Sequence, residues 1–127
     1  MPLINWNEQF KIRVTNCDIS RDKHEVCKLL LLRKLLRKHK HEKQYIRIYT
    51  EFEVKEGVIC DLYFENYKTK EKIAYEIQKD MSKQKEKLEK YKNWKDHFFK
   101  TDLIIIDLNK LSTEIKEMEK QMEEYVF

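Results

Sequence analysis

Glycine and proline are almost absent, with one of each in 127 residues. So few turn formers exclude a loop-rich or low-complexity chain and predict elements that run nearly end to end. No apolar run approaches the roughly 20 residues of a membrane span. The longest leucine block, Leu29 to Leu32, is flanked by basic residues. The opening MPLINWNEQF carries no long apolar core, so no secretory signal is expected. Cysteine is scarce, and Cys17, Cys27 and Cys60 lack metal-type spacing. An odd number without pairing signals predicts reduced thiols in a cytoplasmic protein. Repeats and linkers are missing too, so residues 1–127 are expected to form a single domain.

What the chain does have is charge. Charged residues make up 39% and hydrophobic residues 41%, which suits a folded, highly charged domain rather than a disordered one. The net charge of +4 is mild, but it is unevenly spread. Lys28, Arg33, Lys34, Arg37, Lys38, Lys40 and Lys43 crowd one segment, with only Glu42 in opposition. Seven more lysines lie between Lys83 and Lys100, whereas acids gather in the final STEIKEMEKQMEEYVF. Basic central elements with an acidic end suit a protein that offers one face to a polyanion. Solvated helix faces would produce the same pattern.

Hydrophobic periodicity predicts the order of elements. A short strand is expected near Phe10 to Val14, then a helix from about Arg21 to His39 with Ser20 as N-cap. Period-two alternation in YIRIYTEFEV, Tyr45 to Val54, marks a strand. A turn at Glu56-Gly57 leads to a second strand, VICDLYFE, and KIAYEIQ follows as a third. Ser82 caps a predicted helix that reaches about Phe99. DLIIIDL, Asp102 to Leu108, is apolar on both sides and reads as a strand buried between layers. Ser112 opens a last helix. Three short-linked strands form an antiparallel meander, and the following helix makes a right-handed crossover to a parallel fourth strand. The expected fold is α/β, a mixed central sheet with helices packed on it.

Three acids stand out in this frame. At 100° per residue Glu25 falls in the core-facing sector with Leu29, Leu32 and Leu36, while Lys34 and Lys38 face away. A water-exposed Glu25 at the sheet rim, near the positive helix end, is the plainer alternative. Asp61 shares a strand face with Ile59 and Tyr63, opposite Val58, Cys60, Leu62 and Phe64. Glu76 and Gln78 share a face with Ala74, opposite Ile73, Tyr75 and Ile77. If register brings Asp61 near Glu76, the carboxylates repel unless a cation lies between them. A hard divalent ion such as Mg²⁺ or Mn²⁺ resolves that repulsion. The plainer alternative is two separate acids at strand ends, each paired with one of the many lysines. With 23 acids in the chain, residue types alone carry nothing; placement on consecutive strands carries the weight.

From about Lys23 to Lys110 the sequence resembles the PD-(D/E)xK nuclease superfamily, above all its small Holliday-junction-resolvase and restriction-endonuclease-like members. The matching positions are Glu25 in KHEVCKLLLLRKLL, Asp61 in GVICDLYF, and Glu76 with Gln78 in AYEIQK. The resemblance implies an αβββαβ core over about residues 21–110, followed by a C-terminal helix over about 112–126. It also implies a Mg²⁺- or Mn²⁺-dependent DNA endonuclease directed by DNA shape or by a partner. Asp61, Glu76 and the Ile77 carbonyl would hold metal, Glu25 would hold a second ion, and Gln78 would position the attacking water. Arg33, Lys34, Arg37 and Lys38, with Lys83, Lys85 and Lys87, would follow the DNA backbone. Gln84 and Tyr91 match a helix pair of the RecB-like members, on an inward stripe with Met81 and Leu88. Resolvase relatives are dimers, so a homodimer is within the implication. Gln78 departs from the family's lysine, and Lys85 is the neighbouring base placed to replace it. That departure keeps a second expectation open, a nuclease-fold module that binds nucleic acid or protein without cutting. A third is an α/β interaction protein that docks a protein partner through its acidic last helix.

Overall fold

The computed structural model describes residues 19–126, so the strand expected near Phe10 to Val14 lies outside the described residues. Helix α1 spans Ile19–Lys38, β1 Ile46–Lys55, β2 Val58–Asn66 and β3 Glu71–Gln78. Helix α2 spans Gln84–Tyr91, β4 Lys100–Asp107 and α3 Ile115–Gln121. The four described strands form one mixed sheet in the order β1-β2-β3-β4. The first two pairs are antiparallel and β3-β4 is parallel, which is the predicted meander and crossover. The fold is therefore α/β. The single glycine sits where the β1–β2 turn needs it, Gly57 at φ 77°.

Helix α1 packs on one face of the sheet. Leu31, Leu32 and Leu35 meet Ile48, Leu62, Phe64 and Tyr75, and Met118 and Met122 close the layer from the C-terminal segment. Fully burying each of these leucines is worth about 1.5–3 kcal/mol. Tyr75 donates its hydroxyl to the Tyr125 carbonyl at 2.8 Å, which ties the C-terminal segment to the sheet. The opposite face is thinner. Val58, Cys60, Tyr63, Ala74 and Tyr91 form a small second cluster, flanked by half-buried Tyr49, Phe52 and Trp94.

Several boundaries differ from expectation for identifiable reasons. Ser20 lies inside α1 rather than capping it. Helix α2 ends at Tyr91 because Asp96 turns the chain: its Oδ1 accepts the amides of Phe98 and Phe99 at 2.8 and 3.2 Å. Helix α3 starts at Ile115 rather than Ser112, whose hydroxyl accepts the Glu114 amide at 3.0 Å. The strand expected to be buried on both sides is the edge of the described sheet, and Ile106 is its only fully covered residue.

The regular alternation of β2 also breaks. Cys60 joins the α2-side cluster with Tyr63, while Leu62 and Phe64 pack beneath α1. Asp61 in β2 and Glu51 in β1 mark the place. Between the pairs Thr50↔Leu62 and Phe52↔Cys60 stands Glu51, held at φ 49°. A left-handed glutamate within a strand costs about 1–3 kcal/mol, and such strain gathers at functional sites.

Candidate carboxylate site

The β2–β3 ladder runs from Asn66↔Glu71 to Leu62↔Tyr75 and stops there, although β3 continues beside β4 to Gln78↔Asp107. Asp61 fills the opening. Its Oδ2 accepts the Ile77 amide at 2.7 Å, so a carboxylate satisfies the main-chain donor that the ended ladder leaves over. Next along β3, Glu76 is only 2% exposed. The Tyr91 hydroxyl donates to its Oε1 at 2.7 Å, and Lys87 Nζ stands 3.4 Å from Oε2. Lys87 and Tyr91 are four residues apart on α2, hence on one helix face.

From the other side α1 contributes a chain of polar side chains. His24 Nε2 lies 3.3 Å from Asp61 Oδ1, and Nδ1 lies 3.4 Å from Glu25 Oε1. Glu25 Oε2 is 2.7 Å from Lys28 Nζ, and Lys28 is fully buried. A lysine without exposed surface needs such a partner, because an isolated buried charge is very costly.

Burial and the neighbouring Asp61 charge together raise the Glu76 carboxyl above its ordinary range, against the opposing pull of Tyr91 and Lys87. Burial also pushes on Asp61. There the contact with His24, the Ile77 N–H and the Lys28 charge outweigh it, and the carboxyl is held below its usual range. Adjacent acids driven in opposite directions make this pair a candidate functional site. Burial, the Glu76 charge and the Asp61 charge raise the nearby Cys60 thiol, which keeps it protonated and inert. Cys27 is likewise pushed up to about 12, chiefly by burial.

Asp61, Glu76 and the Ile77 backbone are thus brought together. Glu25 reaches Asp61 only through His24, and its second oxygen is taken by Lys28. Among the described residues, no three His, Cys, Asp or Glu side chains gather closely enough to hold a metal ion. Gln78 is buried at the end of β3, two residues beyond Glu76. Lys85 is exposed, and Lys87 is the lysine that turns inward. The inward stripe expected on α2 is displaced as well: Gln84 is exposed and Leu88 is 50% exposed.

The basic rail is narrower than the sequence suggests. Arg33, Lys83 and Lys85 are open to solvent. Lys34 and Arg37 are paired with Glu123 and Glu119 at 3.1 and 2.9 Å, and Lys38 reaches the Val126 carbonyl at 3.3 Å. The acidic C-terminal segment therefore covers much of the basic face of α1. His24 and Lys28 are the site residues that helical spacing missed. Their signal lay in Glu25 itself, since a glutamate on an apolar stripe demands a cation one turn away.

Comparison of the chain with protein-family models, with curated proteins and with solved structures finds no match.

Proposed function

We propose that the chain is a metal-dependent DNA endonuclease whose element order, α1-β1-β2-β3-α2-β4, is a restriction-endonuclease-like αβββαβ core. One observation carries this reading: Asp61 and Glu76 stand on adjacent strands where their ladder opens, close enough for Asp61 to raise Glu76. Such a pair attracts a cation, and two carboxylates with a nearby main-chain carbonyl are an oxygen donor set that fits Mg²⁺ or Mn²⁺. Asp61, Glu76 and the Ile77 carbonyl would hold the ion, which when bound acidifies a water and neutralises charge on phosphate.

The chain's own residues do the rest. His24 orients the free oxygen of Asp61, and Lys28 fixes Glu25 behind it. Lys87 supplies positive charge beside Glu76, where Gln78 has none. Gln78 orients the attacking water through its amide. Exposed Arg33, Lys83 and Lys85 bind phosphate non-specifically, so affinity falls with salt. On this reading the target is chosen by DNA structure or by a partner rather than by base sequence.

A binding module that does not cut is the second reading. It is favoured by the internal partners of the acids: Lys28 on Glu25, Lys87 on Glu76 and His24 on Asp61. The deciding experiment offers branched, single-stranded and duplex DNA to the purified protein with Mg²⁺ or Mn²⁺. Cleavage that falls by about a hundredfold or more in Asp61→Asn is expected, the scale of one electrostatic catalytic group. Binding of DNA with no cleavage of any form would establish the non-cutting module instead.

A further inference from the structure

On the α2 side of the sheet, away from the α1 core, lies a pocket of about 440 Å³ that the carboxylate site does not use. Its apolar wall is aromatic: Phe52, Tyr63 and Trp94. Phe52 and Tyr63 are stacked at 4.4 Å and 19°, and Tyr49 extends the stack from Phe52 at 5.1 Å and 21°. Trp94 stands tilted to this row, 57° from Tyr63 at 6.5 Å. Phe52 and Trp94 each keep part of their surface exposed, so aromatic surface in the pocket remains accessible to a ligand.

The rim is polar but balanced, with three lysines, three acids and Asn93. Lys72 and Asp96 are already joined at 2.6 Å. A rim of matched charge does not concentrate a polyanion. It does provide both donors and acceptors to a neutral, planar, polar ring, and the volume lies within the range of small-ligand sites. A nucleobase has that chemistry, and sheet aromatics are the platform on which unpaired bases stack.

The pocket is joined to the carboxylates through one side chain. Tyr91 packs edge-on against Trp94 at 5.7 Å and donates its hydroxyl to Glu76. We infer that the Phe52–Tyr63–Trp94 pocket takes up one unpaired nucleobase, so that the strand entering the Asp61–Glu76 site is single-stranded or locally unpaired. This extends the nuclease reading by naming the form of its substrate, yet the pocket can be tested without any cleavage.

The chain has two tryptophans, so Trp6→Phe leaves Trp94 as sole reporter. Emission is followed in EDTA during titration with a short oligothymidylate, an abasic oligomer of equal length, and a duplex. Quenching by the oligothymidylate is expected, with affinity about tenfold or more above that of the abasic oligomer and the duplex, the scale of one stacked base. Phe52→Ala in the same background should weaken the oligothymidylate about tenfold and leave the abasic oligomer unchanged. Unchanged Trp94 emission at saturating oligothymidylate, or equal affinity for the abasic oligomer, would overturn the pocket. Base-dependent quenching in a protein that cuts no DNA would uphold the pocket and remove the nuclease. Cleavage without base-dependent quenching would do the reverse.

Discussion

The two faces of the sheet are built in opposite ways. Beneath α1 the face is closed: one continuous cluster of leucine, isoleucine, aromatic and methionine side chains fills it, and even Lys28 and Glu25 are buried in contact there. Beneath α2 the face is thin and half open, with an eight-residue helix, a row of aromatic rings and an exposed Leu88. Asp61 and Glu76 sit between them, the first held from α1 by His24 and the second from α2 by Lys87 and Tyr91. The closed face supplies rigidity, and the open face supplies access. A site at their junction can hold its carboxylates in fixed positions while leaving room for a ligand.

The contrast is broken most severely by Lys28→Ala, which removes the buried ammonium that sits on Glu25 Oε2. Chemical denaturation should show a loss of about 3–5 kcal/mol. Adding Glu25→Gln should recover part of it, because a buried carboxylate is then replaced by a neutral amide. Leu31→Ala on the same face should cost about 2–5 kcal/mol, whereas Leu88→Ala on the open face should change stability by no more than about 0.5 kcal/mol. Equal costs for the two leucines would refute the closed-and-open division.

Glu76→Gln sharpens the comparison at the junction. A raised carboxyl means that the folded protein holds this proton more tightly than the unfolded chain, whose glutamate titrates near its ordinary value of about 4.3. Stability therefore declines as pH rises from that value through the folded one. Asp61, shifted downward, has the opposite sign: its contribution is present above the ordinary aspartate value and is lost as pH falls through the folded one. Glu76→Gln should remove the decline and raise neutral-pH stability by about 0.5–2 kcal/mol, and on the proposed nuclease reading it should also abolish cleavage, a stability–function exchange. A melting series across pH that shows no difference from the parent protein would contradict the assigned shift. The smallest effect is expected from Arg37→Ala at the C-terminal cover, within about 1 kcal/mol and smaller still in high salt.

Much of the fold was legible because periodicity survives packing. The alternation in β1 and β3, the single turn glycine and the apolar repeat of α1 specify the meander and its helical layer. The end of α2 was not legible, since Asp96 looks like one more polar helix residue until its carboxylate is seen capping Phe98 and Phe99. Asp61 and Glu76 could be singled out as acids within apolar strands. The cation on Glu76 could not, because Lys87 resembles the surface lysines around it. Only three-dimensional contact distinguishes a buried lysine on a glutamate from a solvated one. The break of alternation at Asp61 was equally hidden, for it depends on the left-handed Glu51 in the facing strand.

The central claim is that Asp61 and Glu76 share a divalent cation. Calorimetric titration of Mn²⁺ into the purified protein, in parallel with Asp61→Asn, tests it without reference to activity. A saturable site in the parent protein that disappears in the variant is the predicted result. Absence of a site in the parent, or one that survives unchanged in Asp61→Asn, would contradict the account.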